Sequence, residues 1–170
     1  YGTAVQFTTS SNVDNINAYY DTSQNKTVII WNENTGNARV ASISGTAITY
    51  GTTNSFFSNG FMGSDCSFDT TASKGIITWV DQRSPFYGQG AAATVSGTAI
   101  TVASPTAWSS VKIDYQEYGP CSVYAGDAAD ITTIAYTKDD GTDSYGWYLN
   151  ATLSGTTLSY NSPARMYSDN

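Results

Sequence analysis

The chain contains no histidine among its 170 residues, so any acid–base chemistry it performs must come from carboxylates. That absence removes the commonest general base, the usual activator of a serine or cysteine nucleophile, and the usual zinc ligand. Its two cysteines, Cys66 and Cys121, cannot build a structural zinc site by themselves. No glycine-rich loop leads from a strand into a helix, so a phosphate cradle is not encoded either. What remains is a set of acidic residues: Asp65, Asp69, Asp81, Asp114, Glu117, Asp127 and Asp130. A glycosidase works with two carboxyls about 5–10 Å apart, one of them with a raised pKa.

Three features weigh against that use. Asp21 and Asp69 recur at equivalent places, each between a strand and a turn, which suits a turn cap. The Ser-x-Asp-x-Gly-x-x-Trp boxes of sialidases are missing, and the arginines are too few and too scattered for the carboxylate-binding cluster those enzymes need. No residue is therefore assigned a catalytic role, and the chain is read as a non-enzyme without cofactor. The run Asp139-Asp140-Gly141-Thr142-Asp143 offers oxygen ligands for calcium, but its spacing is not that of an EF-hand loop. A solvated acidic turn is the preferred reading, and no metal ligand is assigned. Asn25-Lys26-Thr27 and Asn150-Ala151-Thr152 match glycosylation sequons, as expected by chance in a chain rich in Asn and Thr.

Binding chemistry is better supplied. Three loops vary in length and content, at 32–37, 81–90 and 138–146. The second carries Arg83, Phe86 and Tyr87; the third carries Tyr145 and runs into Trp147 and Tyr148. Rings beside amides and carboxylates suit sugars, by stacking on C–H faces and bonding hydroxyls, and loops on a rigid scaffold are where recognition evolves. Arg83, Phe86, Tyr87, Tyr145 and Trp147 are accordingly the candidate ligand-binding residues. The competing reading is that these rings fill gaps between structural units.

The elements that would hold those loops are repeats. Ile43-Ser44-Gly45-Thr46-Ala47-Ile48-Thr49, Val95-Ser96-Gly97-Thr98-Ala99-Ile100-Thr101 and Leu153-Ser154-Gly155-Thr156-Thr157-Leu158-Ser159 align, their serines 52 and then 58 residues apart. Each reads as a hairpin whose glycine takes a positive φ. Upstream, Tyr20-Asp21 leads through Lys26 to Trp31, and Phe68-Asp69 through Lys74 to Trp79. A looser third copy runs from Tyr124 through Asp127 and Asp130 to Tyr136, and Cys66 and Cys121 are read as equivalent positions. β-Branched and aromatic residues are spread throughout and no stretch keeps a 3.6-residue period.

The expected fold is therefore all-β. It consists of about three tandem four-stranded antiparallel repeats, like propeller blades, with Trp31, Trp79 and Tyr136 wedged between them. The repeats are drawn at 1–51, 52–102 and 103–160, with 161–170 a tail or the start of another. Tyr1-Gly2-Thr3 matches Tyr50-Gly51-Thr52, and Asn161-Ser162-Pro163 resembles Ala103-Ser104-Pro105. Both ends thus stop out of phase, and a longer chain or other copies of this one are expected to cover them.

Composition bounds the setting. Charged residues are 12%, about half the usual share, while aromatics reach 14% with 13 Tyr. A net charge of −7 and seven singly scattered Lys and Arg exclude a phosphate-binding patch, so nucleic acid is not a partner. The longest apolar runs, such as 28–31 and 76–79, are strand-length, which excludes membrane insertion by a helix.

The unit Tyr-Asp-x4-Lys-x4-Trp, followed by Val-Ser-Gly-Thr-Ala-Ile-Thr, resembles repeats of bacteriophage tail-fibre and other virion-surface proteins. The resemblance implies a virion-surface or extracellular component used for scaffold, adhesion or host recognition. Its partners would be other virion proteins, copies of itself or a host-surface glycan. A secreted or cell-surface carbohydrate-binding lectin is the alternative, and a glycosidase-type propeller fragment a weaker one.

Overall fold

A computed structural model describes residues 2–83, 85–110, 112–113, 121–124, 131–139 and 144–166. Every regular element among them is a strand, and the strands form three antiparallel sheets of four to five strands each. Sheet 1 contains β1 (Asp14–Asp21), β2 (Lys26–Asn32), β3 (Gly36–Ser44), β4 (Ala47–Tyr50) and β5 (Asn54–Phe57). Sheet 2 contains β6 (Phe61–Asp69), β7 (Lys74–Asp81), β8 (Gly88–Ser96), β9 (Ala99–Val102) and β10 (Thr106–Ala107). Sheet 3 contains β11 (Cys121–Tyr124), β12 (Ile131–Asp139), β13 (Ser144–Ser154), β14 (Thr157–Tyr160) and β15 (Ala164–Arg165). No closed barrel or propeller is formed among the described residues.

Local chemistry fixes each unit. Gly45, Gly97 and Gly155 take φ of 59°, 62° and 62°, and the threonine after each does not turn positive, which is the type II′ pattern of a two-residue hairpin. The buried Asp21 carboxylate ends β1 by accepting from Ser23 N at 2.9 Å, Ser23 Oγ at 2.6 Å and Gln24 N at 3.0 Å. Asp69 closes the matching turn, accepting from Ala72 N at 2.8 Å. Both turns finish on a left-handed residue, Asn25 at φ 55° and Ser73 at φ 53°.

The fourth strand of each unit is broken in two, and both halves pair with the same neighbour. β4 pairs with the end of β3 and β5 with its beginning; β9 and β10 do the same along β8, and β14 and β15 along β13. The break carries the same bond three times: Gly51 N to Val40 O at 2.9 Å, Ala103 N to Ala92 O at 2.9 Å, and Asn161 N to Asn150 O at 3.0 Å. Residues 54–57, 106–107 and 164–165 thereby complete the outer edge of the sheet that precedes them.

Strand register corrects one sequence equivalence. Asp65 pairs with Thr78 and Cys66 with Ile77, whereas Cys121 pairs with Ala135, the counterpart of Thr78. Cys121 therefore stands at the register position of Asp65, and the counterpart of Cys66 is Ser122. Sequence similarity around the two cysteines could not fix a pairing that is decided by the neighbouring strand. Cys66 is a free thiol packed against the core, and burial pushes its pKa up to about 12, with the Asp65 charge adding to the effect.

The sheets stack in chain order, and sheet 2 is the middle layer. Along β7 the pleat sends Ile77 and Trp79 toward sheet 1 and Ile76 and Val80 toward sheet 3. Trp79 is fully buried, its ring centroid 5.4 Å from that of Phe56 and 5.3 Å from that of Phe57. The first strands lie side by side, β1 against β6 and β6 against β11. Asparagines of β1 and β2 join sheet 1 to β6 in place of a regular ladder: Asn17 Nδ2 donates to Ser64 O at 2.6 Å, Gly63 N donates to Asn15 Oδ1 at 3.0 Å, and Phe61 N donates to Asn32 Oδ1 at 3.2 Å. Asn15 and Gly63 sit at the same bulge of their units with φ of 49° and 44°, where the register of both strands slips.

Candidate functional site

Antiparallel order separates two kinds of connection. The Asp turns and the glycine hairpins lie at one end of the sheets, and the β2–β3, β7–β8 and β12–β13 loops lie at the other. The five candidate ligand-binding residues all belong to that second end, but they do not form one site.

Arg83 is tied to Asp81 by a two-pronged pair, Nη2 to Oδ2 at 2.7 Å and Nε to Oδ1 at 3.1 Å. Its guanidinium also lies 5.8 Å from the Phe57 ring centroid. Phe86 has φ of 63° and packs into the core between sheets 2 and 3, as does Trp147, which carries Lys138 Nζ 4.9 Å from its ring centroid. Tyr145 is covered by Arg165, whose Cζ is 3.2 Å from its centroid. Tyr87 opens onto a groove with other aromatic and polar groups, and Arg83 onto a separate one. Phe86 and Trp147 therefore fill gaps between units, while Arg83 and Tyr87 line surface grooves.

The grooves repeat with the units. Residues five beyond Gly2, Gly51 and Ala103 are Phe7, Phe56 and Trp108, and each packs on the wedge aromatic of the unit that follows. The ring-centroid distances are 5.3 Å for Phe7 on Trp31, 5.4 Å for Phe56 on Trp79 and 4.8 Å for Trp108 on Tyr136. Beside each of the three rings lies an open groove. The first, about 190 Å³, is lined by Gln6, Phe7, Thr8, Thr9, Arg39 and Thr53. The second, about 610 Å³, is lined by Thr35, Ser55, Phe56, Phe57, Ser58, Asn59, Arg83 and Pro105. The third, about 380 Å³, is lined by Tyr87, Ala107, Trp108, Ser109, Ser110, Tyr160 and Asn161.

Repeat-equivalent positions recur in all three. Thr9, Ser58 and Ser110 supply a hydroxyl two residues after the ring, and Thr35 and Tyr87 occupy matching places just before β3 and β8. The break of the following unit's outer strand closes the far side with Thr53, Pro105, or Tyr160 and Asn161. The third groove is richest in aromatic rings, with Tyr87, Trp108 and Tyr160. Its Trp108 Nε1 is spent on Gln89 O at 2.8 Å, and Tyr160 Oη lies 3.1 Å from Thr106 Oγ1. Burial pushes the Tyr160 hydroxyl up to about 12, so it remains a neutral donor near neutral pH.

These grooves were missed in the sequence because Phe7, Phe56 and Trp108 sit in connections that read as loops. Their constant offset of five residues from Gly2, Gly51 and Ala103 is the signal that would have found them.

Five of the described carboxylates are engaged in structural contacts. Asp21 and Asp69 cap turns, Asp81 holds Arg83, and Asp14 accepts from Asn32 Nδ2 at 2.8 Å. Glu33 accepts from Trp31 Nε1 at 2.9 Å, a bond that, with help from Ser10 and Thr8, holds its pKa below the usual range. Among the described residues no three His, Cys, Asp or Glu side chains gather where they could hold a metal ion. Asp114, Glu117, Asp127, Asp130 and the acidic turn at 140–143 lie outside the described residues. Comparison with protein families, with curated proteins and with solved structures gave no match.

Proposed function

We propose that this chain is a non-enzymatic structural and adhesion module of a virion surface, of tail-fibre or capsid-surface type. Its units act as propeller-like blades, and its partners are other virion proteins, copies of itself and a host glycan. The observation that carries the adhesive part is the threefold recurrence of a shallow groove, each with an aromatic ring and a hydroxyl rim. Shallow, open grooves that set a ring beside hydroxyls suit sugars better than enclosed hydrophobic ligands, which need a deep apolar pocket. Repeated weak sites suit a repeating polymer, because linked sites act together and raise avidity without new contacts. The phage-like repeat supports the virion setting, and the engagement of Asp21, Asp69, Asp81 and Glu33 in turns and pairs supports a non-catalytic role. The same grooves would serve a secreted or cell-surface lectin, which is the alternative.

A glycan array probed with the intact chain tests the reading. Binding is expected, with Tyr87→Ala lowering affinity by about tenfold, the scale of one stacked ring. Tyr148→Ala, on the far face of sheet 3, is expected to leave it unchanged. No glycan bound at any density would refute the adhesive reading. Hydrolysis of a bound glycan, lost on replacement of a single carboxylate, would install the glycosidase reading in its place.

A further inference from the structure

We propose that the groove between sheets 1 and 2 takes a carboxylate-bearing sugar, a hexuronate unit of an acidic glycan, with Arg83 receiving the carboxylate. The proposal rests on the reading of the grooves as sugar sites, and it adds the charge of the sugar that the largest of them selects.

The repeats differ here in sequence before they differ in structure. The β2–β3 loop has three residues, 33–35, and the β7–β8 loop has six, 82–87. The longer loop carries Arg83 out from sheet 2 until its guanidinium lies 5.8 Å from the ring centroid of Phe57, on β5 of sheet 1. Asp81 sets the direction of the side chain. Its carboxylate takes Nε and Nη2 in a fork and also accepts from Arg83 N at 3.0 Å. The opposite edge of the guanidinium meets a neutral partner. With its amide oxygen toward that edge, Asn59 accepts from Nη1 at 3.2 Å and Nη2 at 3.3 Å, and both residues line the groove.

Two long bonds to a neutral oxygen are a weak match for that edge. A planar guanidinium fork fits a planar carboxylate with two parallel charge-assisted bonds, each about twice as strong as a neutral one. Among the described residues that line this groove, Arg83 is the single charged one. Asp81 offsets its charge, yet the Asp81 side chain is 11% exposed and that of Arg83 61%, so a ligand meets the cation first. Glu33, on the sheet 1 loop, is held by Trp31 Nε1 and by Thr8, which lines the first groove. The other grooves do not repeat this arrangement. Arg39 in the first donates from Nε to Gly51 O at 2.6 Å and from Nη1 to Phe7 O at 2.5 Å, and the described lining of the third holds no charged residue.

The rest of the groove suits a sugar better than an acidic peptide. Phe56 supplies a partly exposed ring for a C–H face. Asn37, 4% exposed, fixes two hydroxyls with opposite polarity. Ser55 Oγ donates to Asn37 Oδ1 at 2.7 Å and is left to a ligand as an acceptor. Thr35 Oγ1 accepts from Asn37 Nδ2 at 3.1 Å and keeps its own proton to donate. A sugar hydroxyl is both donor and acceptor and can use the pair. Groups already held in place lose little freedom when a ligand arrives. The groove, about 610 Å³, lies within the range of small-ligand sites.

An array of uronate-bearing glycans, probed with the intact chain before and after methyl esterification of the glycans, tests it. Esterification removes the charge and keeps the sugar. Affinity should fall by about tenfold, the scale of one charge-assisted fork at a partly exposed site. Binding of the acidic forms should also weaken from roughly 0.05 to 0.5 M salt, as the attraction is screened. Arg83→Gln should erase the difference between acid and ester. Because Arg83 also ties its loop to Asp81, Asn59→Asp is the second variant: it keeps Arg83 and sets a carboxylate against the same edge, and it should erase the preference too. Acid and ester bound equally, or a preference that survives both variants, would overturn the proposal. So would a sulfated glycan or a poly-glutamate peptide bound as tightly as the uronate. Neutral glycans bound without any preference for acid would sink the acidic assignment and leave the adhesive reading standing, whereas no glycan bound at all would sink both.

Discussion

Replacing Gly75 by alanine would drive a methyl group into the ring of Tyr19, which reaches across from sheet 1 to sheet 2. A Cβ on Gly75 falls 2.7 Å from Tyr19 Cε1 and closer still to Cζ and Oη. The ring cannot swing away, because Tyr19 is 6% exposed and stacks on Phe68 at a centroid distance of 6.1 Å and an interplanar angle of 17°. Overpacking of this kind costs about 1–3 kcal/mol, and the better strand propensity of alanine returns about 0.5–1 of it. A net loss of about 1–2 kcal/mol is expected, which for a chain of this length lowers Tm by about 2–8 °C. Urea or thermal unfolding of the single and double variants measures it. Tyr19→Leu makes room for the methyl, so the double variant should be less destabilised than the sum of the singles by at least about 0.5 kcal/mol. Additive effects, or a Gly75→Ala variant as stable as the parent, would show that sheets 1 and 2 do not pack through this contact.

Asp21→Ala removes three hydrogen bonds to a buried carboxylate and should cost about 2 kcal/mol in chemical denaturation, more than substitution at an exposed polar site such as Thr22. Cys66 should alkylate slowly in the native state: with its pKa raised from 9.0 to about 12, the thiolate fraction at pH 8 falls by about a thousandfold. Because burial favours the protonated thiol, the stabilisation it lends is complete below pH 9 and is lost as pH rises toward 12; iodoacetamide labelling across that range follows the change.

Some features were written in the sequence because a single residue's chemistry decides them. A glycine between Ser and Thr fixes a left-handed turn whatever surrounds it, and an aspartate two or three residues before free N–H groups caps a turn locally. The recurrence of Trp31, Trp79 and Tyr136 at one place in each unit likewise marked buried rings, but only Trp79 and Tyr136 are wedged between sheets; Trp31 faces away from sheet 2 and packs on the chain's own Phe7. Other features depended on a neighbour that the sequence does not name. The broken outer strand is a strand only because β3, β8 and β13 each offer two stretches of free edge. The asparagines of β1 read as loop formers, yet they clip it to β6. The mismatch of Cys66 and Cys121 follows from register alone.

The candidate site divides in the same way. Its five sequence-chosen residues are surface-like by type, yet packing sent Phe86 and Trp147 inward and left Arg83 and Tyr87 on separate grooves. Phe7, Phe56 and Trp108 entered the site only through contacts between successive units. By itself the sequence determined the repeat, its turns and the all-β class, because these rest on backbone conformations within a few residues. Tertiary structure alone decided which faces are covered. Burial is a property of the neighbouring sheet, and so only the stacked units reveal three related grooves.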